Sequence, residues 1–197
     1  MQAPRLETPR LLLRAHRQDD FPSLAALWAE PAATQFILAK PSSEEDSWAR
    51  LLRYAGHWAL LGYGFWAIEE KAGGIYIGEA GFADFHRIVD PPFGDRPEVG
   101  WIIASRFQGK GYASEALSAV FDWGKRHFGA REFACMIDPG NTASIRIAEK
   151  FGFREASRTT YKDSPATLYY RPASNLAFVF LQELLGAQRP HVVDRDR

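Results

Sequence analysis

The chain has 197 residues, and its 24 Lys plus Arg are matched by 24 Asp plus Glu, so the formal net charge is zero. A neutral chain has no broad field to gather DNA, RNA or an anionic membrane, which argues against a nucleic-acid or membrane partner. Hydrophobic residues make up 46%, with six Trp, seven Tyr and fourteen Phe, which excludes disorder and fits a single domain over residues 1–197.

No apolar run reaches membrane-spanning length, and Met1–Arg5 opens no signal-peptide block. Cys135 is the single cysteine, so no internal disulfide forms and a reducing, cytoplasmic setting is expected. The five histidines show no i, i+4 pair and no ligand spacing, so no metal is expected.

In chain order, Leu6–His16 holds a short strand reached through Thr8-Pro9. Phe21, Leu24, Leu27 and Trp28 form a helical stripe that Pro31 should end. Two capping boxes then compete, Ser42 with Glu45 and Ser43 with Asp46, ahead of a helix expected to bury Trp48, Leu51, Leu52 and Ala55. Gly62–Ile68 and Ile75–Phe82 read as strands, with Gly73-Gly74 as the hairpin signal. A Pro- and Gly-rich loop, Arg87–Pro97, follows.

Glu98–Ala104 alternates as a strand, and from Ala113 to Phe128 small and apolar residues recur at helical spacing, with Gly129 as the stop. Phe133–Ile137 is a buried strand, Pro139-Gly140 a turn, and Asn141–Lys150 a helix stopped at Gly152. Phe153–Tyr161 and Ala166–Arg171 form a final strand pair. Residues 175–185 have a helical pattern, and 188–197 are polar and expected to fray. The sum is α/β: a mostly antiparallel central sheet flanked by helices.

The informative stretch is Gln108-Gly109-Lys110-Gly111-Tyr112-Ala113, between a strand and a long helix. Glycines there let the backbone turn and a ligand approach, while free N–H groups and the helix dipole converge on a phosphate-sized point. Neither a Walker A loop, which needs Ser or Thr after Gly-Lys, nor a G-x-G-x-x-G fingerprint fits; two glycines that only close a turn remain an alternative.

Gln108-x-x-Gly111-x-Ala113 after Glu98-Val-Gly-Trp-Ile resembles the coenzyme A pyrophosphate loop of the GNAT acetyltransferase superfamily. Leu6–Arg14, Asn141-x-x-Ser144 and Lys150-Phe-Gly-Phe153 extend the resemblance over residues 5–171, towards the branch of ribosomal-protein N-terminal acetyltransferases. The resemblance implies the strand order and a splay between Glu98–Ala104 and Phe133–Ile137 that admits the pantetheine arm. It implies acetyl-CoA as cosubstrate and direct transfer, in a ternary complex, to a primary amine. The acceptor is either a small molecule or a peptide or protein N-terminus.

In that light, Gln108, Gly109, Lys110, Gly111, Tyr112 and Ala113 are cofactor-binding candidates, with Arg106 and Lys110 as nearby charges. The main chain around Trp101, Ile102 and Ile103 supplies the expected oxyanion donor, and Ser144 the hydroxyl near the sulfur. Asn141 serves as a helix cap, a ligand contact or both. Glu98 is the preferred general base and Glu79 the second choice; water can mediate either. Cys135 reads as inert core, and His86 begins the loop expected to border the acceptor pocket. A catalytically silent acyl-CoA-binding or regulatory module is the competing reading. Monomer and homodimer are both compatible with the chain.

Overall fold

The structure, a computed structural model, describes residues 2–37 and 40–173. The expected helix over 175–185 and the polar tail lie outside the described residues. Pro9 divides the first apolar run into β1 (Leu6–Glu7) and β2 (Leu11–Arg14), which pair with each other. A 3-10 turn leads into α1 (Phe21–Ala29), followed by α2 (Pro31–Thr34) and α3 (Glu44–Leu61). Then come β3 (Phe65–Glu70), β4 (Ile75–Ala83), β5 (Glu98–Ile103), α4 (Tyr112–Phe128) and β6 (Phe133–Ile137). The described chain ends with α5 (Thr142–Lys150), β7 (Arg154–Tyr161) and β8 (Ser164–Arg171).

The eight strands form one sheet in the order β1-β2-β3-β4-β5-β6-β8-β7. Every neighbouring pair is antiparallel except β5 with β6. The strand–helix–strand unit β5–α4–β6 supplies that parallel pair, because only a crossover can return the chain in the same direction.

Successive strand residues point to opposite faces, and the core divides accordingly. Trp66 and Ile103 join a cluster with Phe82, Leu117, Val120 and Phe121 beneath α4. Their chain neighbours Phe65 and Ile102 join Leu24, Leu27, Leu51 and Tyr54 beneath α1 and α3.

The helix α1 stops before Pro31 as expected: Glu30 turns out of helical geometry, and Pro31 then occupies the first position of α2, where its missing N–H is harmless. One local expectation is corrected. The buried face of α3 is Ser47, Leu51, Tyr54, His57 and Trp58, while Trp48, Leu52 and Ala55 are exposed. Polar-tipped side chains can bury when their tips are bonded, as Tyr54 is to Glu79 (2.8 Å) and His57 to the Asp84 carbonyl (3.0 Å). Of the two candidate boxes, Ser43 with Asp46 caps α3.

Gly124 lets α4 approach the sheet, since a Cβ there would lie 2.5 Å from Phe82 Cζ. Phe82 is fully buried and cannot retreat. Gly124→Ala is expected to destabilise the fold by about 1–3 kcal/mol through overpacking. Urea unfolding measures it, and an unchanged midpoint would refute this close approach.

Candidate functional site

β5 and β6 meet at one rung, Glu98 opposite Ala134. The Ala134 N–H donates to the Pro97 carbonyl (3.1 Å), and at the far end the Ala104 N–H donates across to Ile77 on β4 (2.9 Å). Strand alternation between these bonds turns the main chain of Trp101 and Ile103 away from β4 and into the gap. The Ile103 carbonyl is taken up by Gln108 Nε2 (2.8 Å), which anchors the start of the glycine loop. Two cavities occupy this splayed region.

The larger cavity is about 390 Å³ and lies beside the loop and the N-terminus of α4. Ile102 and Ile103 line it from β5, Gln108, Gly109, Gly111, Tyr112 and Ala113 from the loop and α4, and Asn141 and Ser144 from α5. Gly109 and Gly111 hold positive φ, 74° and 82°, a conformation that glycine adopts at little cost. Gly111 caps α4 without any side-chain bond, so the first N–H groups of the helix stay available at the cavity. The ammonium of Lys110 and the guanidinium of Arg106 instead lie over Phe107, 5.2 and 5.0 Å from its ring centre.

Arg10, which the sequence did not single out, braces the loop from the other end of the sheet. Its Nη1 donates to the Lys110 carbonyl (3.0 Å), its Nε to Glu115 (2.6 Å), and its guanidinium covers Tyr112 at 4.4 Å. Thr8 Oγ1 also donates to Glu115 (2.6 Å). Burial would raise the Glu115 pKa, but these donors outweigh it and hold the carboxyl below its usual range. Arg146 and Phe107 are further cavity residues that sequence spacing did not single out.

At the start of α5 the Asn141 Oδ1 accepts the Ser144 N–H (3.0 Å), the expected cap. Asn141 and Ser144 line both cavities, as do Trp101, Ile102, Phe36 and Ile37. The second cavity, about 200 Å³, has Trp28, Phe65, Phe85 and Tyr161 in its walls, with Arg50, Arg87, Glu98 and Asp138 as its charged lining.

Glu98 is 7% exposed, and its Oε2 accepts from Arg87 Nε (2.6 Å). Burial pushes its pKa up and Arg87 returns only part of that rise, so the carboxyl stays above its usual range. Glu79, the other carboxylate candidate, lines neither cavity. Trp28 Nε1 (3.1 Å) and the Tyr54 (2.8 Å) and Tyr76 (2.6 Å) hydroxyls donate to it, with His16 Nε2 at 3.5 Å. Burial again raises, but these partners together leave the Glu79 pKa lowered.

The His86 side chain is 91% exposed, on the surface. Burial lifts the Cys135 thiol well above its usual pKa, which disfavours the nucleophilic thiolate. No cluster of three or more His, Cys, Asp or Glu able to hold a metal occurs among the described residues. No helix among them is long and apolar enough to cross a membrane.

Because Arg87 offsets part of the burial effect, Arg87→Met should move the Glu98 titration to still higher pH. Carbon-13 NMR of the labelled carboxyl reads this directly. A midpoint at or below the parent's would contradict the pairing.

The acetyltransferase (GNAT) domain model matches residues 10–154. The chain is 38% identical to the protein YkkB of Bacillus subtilis (strain 168) over 120 residues, 58% of this chain and 65% of YkkB's length. A structure described as a GnaT-family acetyltransferase from Bordetella pertussis superposes with a TM-score of 0.75 at 30% identity, covering 86% of this chain and 99% of that one. The ribosomal L7/L12 alpha-N-protein acetyltransferase in complex with coenzyme A gives a TM-score of 0.70 at 20% identity, covering 86% and 98%, a likeness of fold.

Proposed function

Because this chain belongs to the acetyltransferase (GNAT) family, we propose that it transfers acetyl from acetyl-CoA directly to a primary amine within a ternary complex. The observation that carries this reading is the uncapped N-terminus of α4 at Gly111, beside the cavity that opens onto the gap between β5 and β6. An uncapped helix start framed by positive-φ glycines suits the coenzyme's diphosphate.

In this reading the N–H groups of Gly109 to Ala113 hold the diphosphate, and Gln108 keeps the loop attached to β5. Acetyl-CoA supplies the activated thioester. A main-chain N–H of Trp101 or Ile103, turned away from β4, donates to the negative charge that develops on the carbonyl oxygen, an effect worth roughly 3–4 kcal/mol where the donor is preorganised. The Ser144 hydroxyl donates a hydrogen bond to the departing sulfur. A thiol with a pKa near ~8.5 needs no stronger acid at neutral pH.

Glu98 takes the proton from the acceptor amine, directly or through water. Its raised pKa makes it a better proton acceptor than an exposed carboxylate, while Arg87 keeps it oriented. An α-amine with a pKa of about 7.7–8.0 is neutral roughly one time in ten at pH 7, whereas a lysine amine near ~10.4 is neutral only about once in a few thousand. The help required of Glu98 therefore depends on the acceptor. A small amine and a peptide or protein N-terminus both fit this chemistry. The chain spans 65% of YkkB's length, and the ribosomal-protein enzyme shares the fold at 20% identity, so neither fixes the acceptor.

Two experiments test the reading. Gly111→Val puts a β-branched side chain at φ 82°, and acetyl-CoA affinity measured by calorimetry is expected to fall by about tenfold or more (~1.4 kcal/mol) with the fold intact. Unchanged affinity would remove the diphosphate cradle. Glu98→Gln should lower kcat/KM by about a hundredfold at pH values where the acceptor is protonated, and the deficit should shrink above the acceptor's own pKa. A deficit that is constant across pH excludes the base role. Release of free thiol across an amine panel separates a working enzyme from a silent acyl-CoA-binding module.

A further inference from the structure

We propose that the cavity beside Glu98 accepts a small amine that also carries a carboxylate, and that Arg50 receives that carboxylate. The proposal rests on the acetyltransferase reading and narrows its acceptor class to small amino acids.

Arg50 projects from α3 into the cavity wall, with its guanidinium 3.4 Å from the ring centre of Trp28. Its Nε is buried and has no hydrogen-bond partner among the described residues. A guanidinium cannot shed its charge, and no ion pair to Arg50 occurs among the described residues. The other cation in the wall is already engaged. Arg87 is held by Glu98 (2.6 Å), and Asp138 accepts the Gly140 N–H (2.7 Å). A carboxylate from the ligand matches the Nη edge of the Arg50 guanidinium and supplies the counter-charge it lacks among the described residues.

The platform is fixed before any ligand arrives. Trp28 donates its indole N–H to Glu79 (3.1 Å), and Glu79 is fully buried among Tyr54, Tyr76 and His16. Arg50 therefore stacks on a ring that a buried network orients, within a helix rather than a loop.

Size and polarity point the same way. The cavity of about 200 Å³ is smaller than the roughly 300–1,000 Å³ sites of drug-sized ligands. Its walls bring one guanidinium without an ion-pair partner among the described residues, a carboxylate at Glu98 and the aromatic faces of Trp28, Phe65 and Phe85 into one space. A zwitterion with an apolar side chain complements all three. The interior of a peptide N-terminus presents amides where Arg50 needs an anion.

The test pairs each free amino acid with its own amide, using leucine, methionine, phenylalanine and glutamate. Each is titrated calorimetrically into the protein saturated with coenzyme A. At least one acid is expected to bind about tenfold to a hundredfold more tightly than its amide, the scale of a charged hydrogen bond. Arg50→Gln should abolish that preference, and Arg50→Lys, which keeps the charge but not the fork, should retain part of it. Acetyl-CoA affinity of the variants reports that the fold survives. Equal or tighter binding of every amide, no binding by any acid, or a preference that persists in Arg50→Gln would each overturn the proposal. If the parent protein fails to bind acetyl-CoA, the acetyltransferase reading itself falls; if acetyl-CoA binds but no acid outbinds its amide, only the acceptor proposal does.

Discussion

The single rung between Glu98 and Ala134 shapes everything around it. Strands that paired further would satisfy each other's main chain and leave no room for a ligand. Here they part, so Trp101 and Ile103 carry polar main-chain groups into the gap, and water, a neighbouring side chain or a ligand must meet them. Gln108 meets one of these groups at Ile103. The crossover that makes the pair parallel also sets the start of α4 just past the end of β5. Open α/β sheets bind ligands outside the carboxyl ends of their strands for this reason. The gap, the glycine loop and the helix dipole therefore share one location.

Residues far apart in sequence hold that location in shape. Thr8 and Arg10 fasten Glu115 in the first turn of α4, and Arg10 also holds the Lys110 carbonyl. Glu30 accepts from the Ser105 hydroxyl and main-chain N–H, which ties the junction of α1 and α2 to the turn after β5. A loop on exposed glycines would otherwise be loose, and pre-set geometry lowers the entropy lost when such a loop binds a ligand.

Two buried carboxylates show how environment separates roles. Burial raises the pKa of both Glu79 and Glu98, yet one ends below its usual range and the other above it. Glu79 is surrounded by indole, phenol and imidazole groups that stabilise its charge, and its lone pairs are occupied. Glu98 has Arg87 and a cavity wall. A filled carboxylate is a structural anchor, while one with spare acceptor capacity beside a cavity can exchange a proton.

The sequence by itself determined the features that depend on near neighbours. The glycines at 109 and 111, the apolar face of α4 and the Asn141 cap are all set by backbone conformation and periodic burial within a few residues. The α/β class followed from the same patterns, and the motif order over residues 5–171 indicated the family. Tertiary structure decided which face of α3 is buried, because Tyr54 and His57 go inside only when Glu79 and the Asp84 carbonyl are there to receive them. It also decided the choice between Glu98 and Glu79 as the group beside the cavity, and it brought Arg50, Arg87 and Trp28 to one wall. Those residues come from α3, a loop and α1, and no local rule encodes their meeting. Side-chain pairing across the sheet is settled by packing and desolvation, which act only once the chain has folded.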